Sequence, residues 1–197
     1  MNKYLFFDVE TSGLPKKYGR PYTDTDNYPR VVQLAYIITN EKGLILHKSM
    51  SVVKPEGYII PANVSEVHGI TTEDALNGFK MNYVIGNFIS IVKNCDLLIA
   101  HNFKFDSIIL ACEAYRLNFS NNILDKPYTC TMLASTNYCN ITGNKGRKKW
   151  PKLQELYNIL FDKDFEGAHD ALYDVEATVD CYFELVRLGV INEKNET

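Results

Sequence analysis

Apolar and polar positions alternate along this chain in two distinct rhythms. Residues 4–9 (YLFFDV) are apolar until Asp8 interrupts them, which predicts a strand over Tyr4–Val9. Residues 15–29 (PKKYGRPYTDTDNYP) are polar, rich in Pro and Tyr, and read as a loop. Val31–Thr39 and Leu44–Val53 are β-rich and flank Asn40-Glu-Lys-Gly43, the signature of a hairpin. Pro55 and Pro61 bracket a further loop. Thr71-Thr-Glu-Asp74 resembles a helix start, and Tyr83, Ile85, Phe88, Ile89, Ile91 and Val92 continue a mostly buried helix to about Lys93. Leu97–Ala100 is a short buried strand, and Phe105, Ile108, Ile109, Cys112 and Tyr115 recur at helical spacing. Tyr128–Thr131 is a candidate strand followed by a helix to about Tyr138. Leu153, Leu156, Tyr157 and Leu160 form one helical face, and Ala171–Leu188 the last helix.

Three consecutive strands suit an antiparallel meander, and strands that alternate with helices suit parallel additions to the same sheet. The expected class is α/β, a mixed sheet with helices on its faces. No repeat and no Gly/Ser/Pro linker divides the chain. We therefore expect a single domain over 1–190 and a short polar tail over 191–197.

Composition narrows the function classes only a little. A net charge of −3 does not advertise a nucleic-acid binder, so a local basic cluster must carry any such role. Five cysteines, an odd number with no C-x-x-C pair, argue against a disulfide framework or zinc ribbon. Reduced thiols, no signal peptide and no apolar run approaching the roughly 18 residues of a membrane span point to a soluble cytoplasmic protein.

The chemistry lies in the acids. Asp8 and Glu10 are two apart and share a face of the first strand, where like charges repel and burial is costly. Acids at the carboxyl end of an inner strand stand where α/β sheets place ligands. Asp106 follows a strand, a polar turn and a helix start in residues 97–106 (LLIAHNFKFD). Asp170 and Asp174 are neighbours on one helix face, with His169 just before them. Singly these are a strand-end acid, a helix-start acid and a cap with a solvated face. Together they need a counter-charge, and oxygen-rich ligation suits Mg²⁺ or Mn²⁺. Two such ions about 3.5–4 Å apart can clamp the oxygens of a phosphoryl displacement. His169, with an ordinary pKa near 6.5, suits a general base.

These residues resemble the DEDD exonucleases of the DnaQ-like group, which includes the proofreading ε subunit, RNase T and oligoribonuclease. The matching motifs are 7–13 (FDVETSG), 101–106 (HNFKFD) and 169–174 (HDALYD), in order over about residues 4–188. His169 lies five before Asp174, as in the His subclass (DEDDh), whereas the Tyr subclass would want Tyr where Asp170 stands. The resemblance implies an RNase H-like fold with a mixed five-stranded sheet and helices on both faces. It implies two divalent metals held by Asp8, Glu10, Asp106 and Asp174, with His169 as general base. The implied reaction is 3′→5′ hydrolysis of single-stranded or frayed ends, releasing nucleoside 5′-monophosphates.

The resemblance also implies backbone contacts from Thr11 and Gly13 near the terminal nucleotide. Leu14 would pack beside the terminal bases, His68 would lie near that nucleotide, and Asn102 and Phe105 would touch sugar and base. Phe105 equally suits core packing. The chain departs from the family at Tyr128-Thr-Cys-Thr131, where many members read Asp-Thr, in a longer loop at 15–29, and in the basic segment 143–152 (GNKGRKKWPK). Lys145, Arg147, Lys148 and Lys149 there are candidate phosphate contacts, because an acidic catalytic face needs a cation-rich rim to hold the strand. Single-stranded DNA is favoured over RNA as substrate. A polymerase is a possible partner, and the little that follows the last helix favours a compact catalytic unit. Two other readings stay open: an RNA-trimming exoribonuclease and a non-catalytic, polymerase-associated binding subunit. An endonuclease on the same fold is disfavoured by the spacing of His169.

Overall fold

A computed structural model describes residues 2–143, 146–165 and 170–192. Its centre is strand β1 (Lys3–Thr11), in which Leu5, Phe6 and Phe7 are fully buried. Strands β2 (Val31–Asn40) and β3 (Ile45–Val52) form the expected meander, each antiparallel to its neighbour. Strands β4 (Leu97–Ala100) and β5 (Tyr128–Cys130) add in parallel on the other side, giving the order β3-β2-β1-β4-β5.

Alternation along β1 feeds two separate cores. Leu5, Phe7 and Val9 pack against helices α2 (Met81–Lys93) and α3 (Phe103–Arg116). Tyr4 and Phe6 face helices α5 (Leu153–Phe161) and α6 (Ala171–Arg187). The ring of Tyr182 meets those of Tyr4 and Phe6 edge-on at 6.0 and 5.4 Å. Helix α4 (Thr131–Cys139) follows β5 directly. The second core includes the buried Ile191.

One segment adds to the sequence-based expectation and another departs from it. The loop bracketed by Pro55 and Pro61 ends in a short helix, α1 (Ala62–His68), which starts after Pro61 and stops at Gly69 in the left-handed region (φ 75°). Only His68 of this helix is buried, so no apolar periodicity marked it. The helix expected from Thr71 is instead broken. Thr71 and Asp74 exchange side-chain and backbone hydrogen bonds (2.6–3.1 Å) that open a single 3₁₀ turn over Asp74–Asn77. The chain then runs extended through Gly78 to Lys80 because Phe79 bonds the end of β3: its N–H donates to Val52 O (2.9 Å) and its carbonyl accepts from Lys54 N (2.8 Å). A β-carbon at Gly78 would lie 2.6 Å from Val52 O, which explains the residue there. Among the described residues, no helix is long and apolar enough to cross a membrane.

Candidate active site

The side of β1 that buries Tyr4 and Phe6 continues as Asp8 and Glu10. A register shift between Glu10 and Thr11 loosens the pairing with β2 just where the acids stand. Because β4 runs parallel to β1, the turn His101–Asn102 that leaves β4 arrives beside the same strand end. Asn102 caps α3 in the left-handed region (φ 73°, ψ 44°), a conformation that Asn tolerates better than most residues. Asp106 then lies in the first turn of α3, 2% exposed, where its Oδ1 accepts a hydrogen bond from Val9 N–H (3.3 Å).

The start of α6 brings the last acid. Asp170 caps the helix, its Oδ1 accepting from Leu172 N–H (3.0 Å). The next free amide, Ala171 N–H, donates to Oε1 of the buried Gln33 on β2 (3.0 Å). Gln33 is the register partner of Glu10, so one side chain ties α6 to the strand pair that carries the acids. Asp174, one turn on, then meets Asp8 and Glu10, and each offers a carboxylate oxygen within 4.8 Å of the others.

This arrangement is electrostatically expensive. Among the described residues no Lys or Arg forms an ion pair with Asp8 or Glu10. Burial first and the nearby Asp174 second push the Asp8 carboxyl well above the usual carboxylate range. Glu10 is pushed up to about 9, by burial and then by Asp8, Asp174 and Asp170. Asp106 is also raised, by burial and Asp8, against the opposing pull of the Val9 N–H. Protons can neutralise such a cluster, and so can divalent cations bound to carboxylate oxygens. The all-oxygen donor set fits a hard cation.

A cleft of about 470 Å³ opens over the acids. Asn102, Phe105 and Asp106 form one part of its lining, and Met132, Trp150, Pro151, Lys152 and Leu153 another. Phe105 is half-buried and serves both core and cleft. A larger hollow of about 570 Å³ along β5 has only Asp125 as a carboxylate, so chemistry rather than size marks the site.

Other sequence-derived candidates lie elsewhere. Thr11 is buried and its hydroxyl donates to Gly13 O (2.7 Å), while Leu14 stands 70% exposed; none of the three lines the cleft. His68 is buried at the end of α1, its Nδ1 accepting from Ile70 N–H (3.1 Å). Lys149 pairs with Glu155 (2.5 Å), Lys148 donates to Asn137 Oδ1 (3.1 Å), and Arg147 is exposed. Lys145 and His169 fall outside the described residues.

Four residues gain their place at the site only in three dimensions: Gln33, His101, Trp150 and Lys152. The ring of His101 spans Thr131 Oγ1 (3.0 Å from Nδ1) and Pro151 O (3.0 Å from Nε2). A carbonyl only accepts, so Nε2 carries the proton, and in the neutral ring Nδ1 accepts from the Thr131 hydroxyl. Burial lowers the His101 pKa to about 4 against the opposing pull of Pro151 O, in keeping with the neutral ring.

A model of the exonuclease family, of RNase T type, matches residues 5–182. PolC-type DNA polymerase III of Staphylococcus aureus is 24% identical over 196 residues, covering 96% of this chain. The chain spans only 12% of the length of that relative. Among solved structures, E. coli exonuclease I in complex with a dA16 oligonucleotide aligns with a TM-score of 0.75 at 19% identity, over 95% of this chain and 41% of that one. The zinc ion bound form of the E. coli exonuclease I–ssDNA complex aligns at 0.73 and 20% identity, with the same coverage. The shared architecture is the RNase H-like exonuclease fold.

Proposed function

Because this chain belongs to the RNase T exonuclease family, we propose that it is a metal-dependent 3′→5′ exonuclease acting on single-stranded or frayed DNA ends and releasing nucleoside 5′-monophosphates. The observation that carries this reading is the convergence of Asp8, Glu10 and Asp174 at the end of the central strand, with the buried Asp106 beside them. We assign two divalent cations, Mg²⁺ or Mn²⁺, to these four carboxylates, where they would stabilise charge on the phosphodiester oxygens and acidify a bound water.

The chain's own residues supply the rest. The Val9 N–H holds the Asp106 carboxyl at the strand end. Gln33 and the Asp170 cap hold the first turn of α6, and so Asp174, against β1 and β2. His169, five residues before Asp174, takes the proton of the attacking water. Asn102 and Phe105 in the cleft lining position the terminal nucleotide, and Thr11, Gly13, Leu14 and His68, outside that lining, keep only the contacts that the family resemblance implies. DNA is favoured over RNA because the relatives concerned are a DNA polymerase and an exonuclease seen with a DNA oligonucleotide. The PolC-type relatives also motivate a polymerase partner, which co-elution with a polymerase subunit would test.

The test is hydrolysis of single-stranded DNA carrying a label at either end, with Mg²⁺ or Mn²⁺. Stepwise shortening of the 5′-labelled strand and immediate release of labelled mononucleotide from the 3′-labelled strand are expected. Internal cleavage, or full activity of Asp8→Ala, would refute the reading. A matched RNA degraded faster than DNA would favour exoribonuclease activity.

A further inference from the structure

The segment that walls the cleft is pinned on both sides of Trp150. Before it, Lys149 N–H donates to Ile141 O (3.0 Å), Gly143 N–H donates to Arg147 O (2.8 Å), and Thr142 bridges Lys148. After it, His101 holds Pro151 O (3.0 Å), and Glu155 takes Lys152 N–H (2.8 Å) together with the Lys149 ammonium. The indole between these anchors is 64% exposed and lines the same cleft as the four acids, with Lys152 beside it. A lone exposed aromatic is ordinary on a protein surface. An exposed aromatic on a backbone fixed at both neighbours, next to a cation and facing a nuclease cleft, is a preorganised surface for a flat ligand.

We propose that Trp150 is a base-stacking platform for the substrate strand, and that His101 is a positioning residue that holds it at the cleft. The proposal rests on the nuclease reading above and adds a binding subsite to it. Stacking on an aromatic face tolerates any base, which suits an enzyme that steps along a strand regardless of sequence. Lys152, on the same wall, is placed to meet the phosphate next to the stacked base. His101 acts through backbone: its ring links Thr131, at the start of α4, to the carbonyl that follows Trp150.

Trp150 is the only tryptophan in the chain, so its emission reports directly on stacking. The experiment titrates the full chain with the oligonucleotide (dT)12, using Ca²⁺ in place of Mg²⁺ so that the strand stays intact. Binding is followed in parallel by anisotropy of a fluorescein-labelled copy. Saturable quenching of Trp150 that tracks the anisotropy curve is expected, and an abasic strand of equal length should bind without it. Trp150→Ala should weaken binding by roughly 5- to 150-fold, and Trp150→Phe should recover most of the loss. His101→Ala should reduce the quenching amplitude, whereas His101→Gln, whose amide offers a donor and an acceptor at similar spacing, should retain it. Binding with unchanged emission, or equal quenching by the abasic strand, overturns the platform and leaves the nuclease reading intact. No binding by either signal overturns both.

Discussion

Two groups of buried carboxylates in this molecule are treated in opposite ways. Glu113 on α3 is fully buried, and its Oε1 receives Arg30 Nε (2.7 Å), Arg116 Nη1 (3.0 Å) and Val31 N–H (3.2 Å). Arg116 also donates to Pro29 O and Tyr28 O (3.2 and 2.7 Å), so this carboxylate anchors the end of the long loop before β2. Asp8, Glu10 and Asp106 have like charges for neighbours, and their carboxyls are driven upward in pKa. A charge that serves architecture is neutralised within the chain. The charges that we propose serve chemistry have no Lys or Arg ion pair among the described residues and are left for something that binds.

Exchanging the two roles gives the largest effects. Asp8→Asn should reduce hydrolysis of a labelled oligonucleotide to background, yet raise the melting temperature of the metal-free protein at alkaline pH, where the buried Asp8 carboxyl beside Asp174 would otherwise have to ionise. Glu113→Ala should do the reverse to the fold. It strands two arginines that keep some solvent contact, so a loss of about 3 kcal/mol is expected in urea unfolding, the low end for broken buried pairs.

The pH dependence sharpens the contrast. Glu10 has its folded pKa raised from 4.5 to about 9, so between those values the native state holds more protons than the unfolded one. Stability of the metal-free protein should therefore fall as pH rises through that window, and Glu10→Gln should flatten the fall. His101 has the opposite sign. Its folded pKa is lowered from 6.5 to about 4, so its contribution is present above 6.5 and lost as pH falls toward 4. Thermal melts of His101→Gln across that range should lose the acid-side component alone.

A smaller effect belongs to the tether between the sites' scaffolds. Gln33→Leu leaves the buried Ala171 N–H without its acceptor and should cost about 1–3 kcal/mol. It should also lower turnover by loosening Asp174, a change visible in kcat at saturating substrate.

What was legible in the sequence was local. The rhythm of β1 announced both its burial and its two acids, and Asp106 and Asp174 were legible because each stands at the start of a helix. The contacts that complete the site are long-range. Gln33 and Ala171 are 138 residues apart, and His101 and Pro151 are 50 apart. Periodicity shows which face of an element is buried, not which loop folds over its end. Trp150 therefore reads only as part of a basic run, and nothing local sets Lys152 apart at the end of that run. Gln33 left a faint signal, a polar residue in an otherwise apolar strand, but nothing local pointed to α6. Backbone pairing by Phe79, equally invisible in side-chain pattern, broke the helix expected from Thr71.

The central claim is that divalent cations bind the acidic cluster by displacing the proton that Glu10, its pKa raised to about 9 by burial and by Asp8, Asp174 and Asp170, holds near neutral pH. Calorimetric titration with Mn²⁺ at pH 7.5, repeated in buffers of different ionisation enthalpy, measures this directly. The account predicts cation binding accompanied by proton release, with both weakened in Glu10→Gln. Binding without proton release, or no binding by the folded protein, would contradict it.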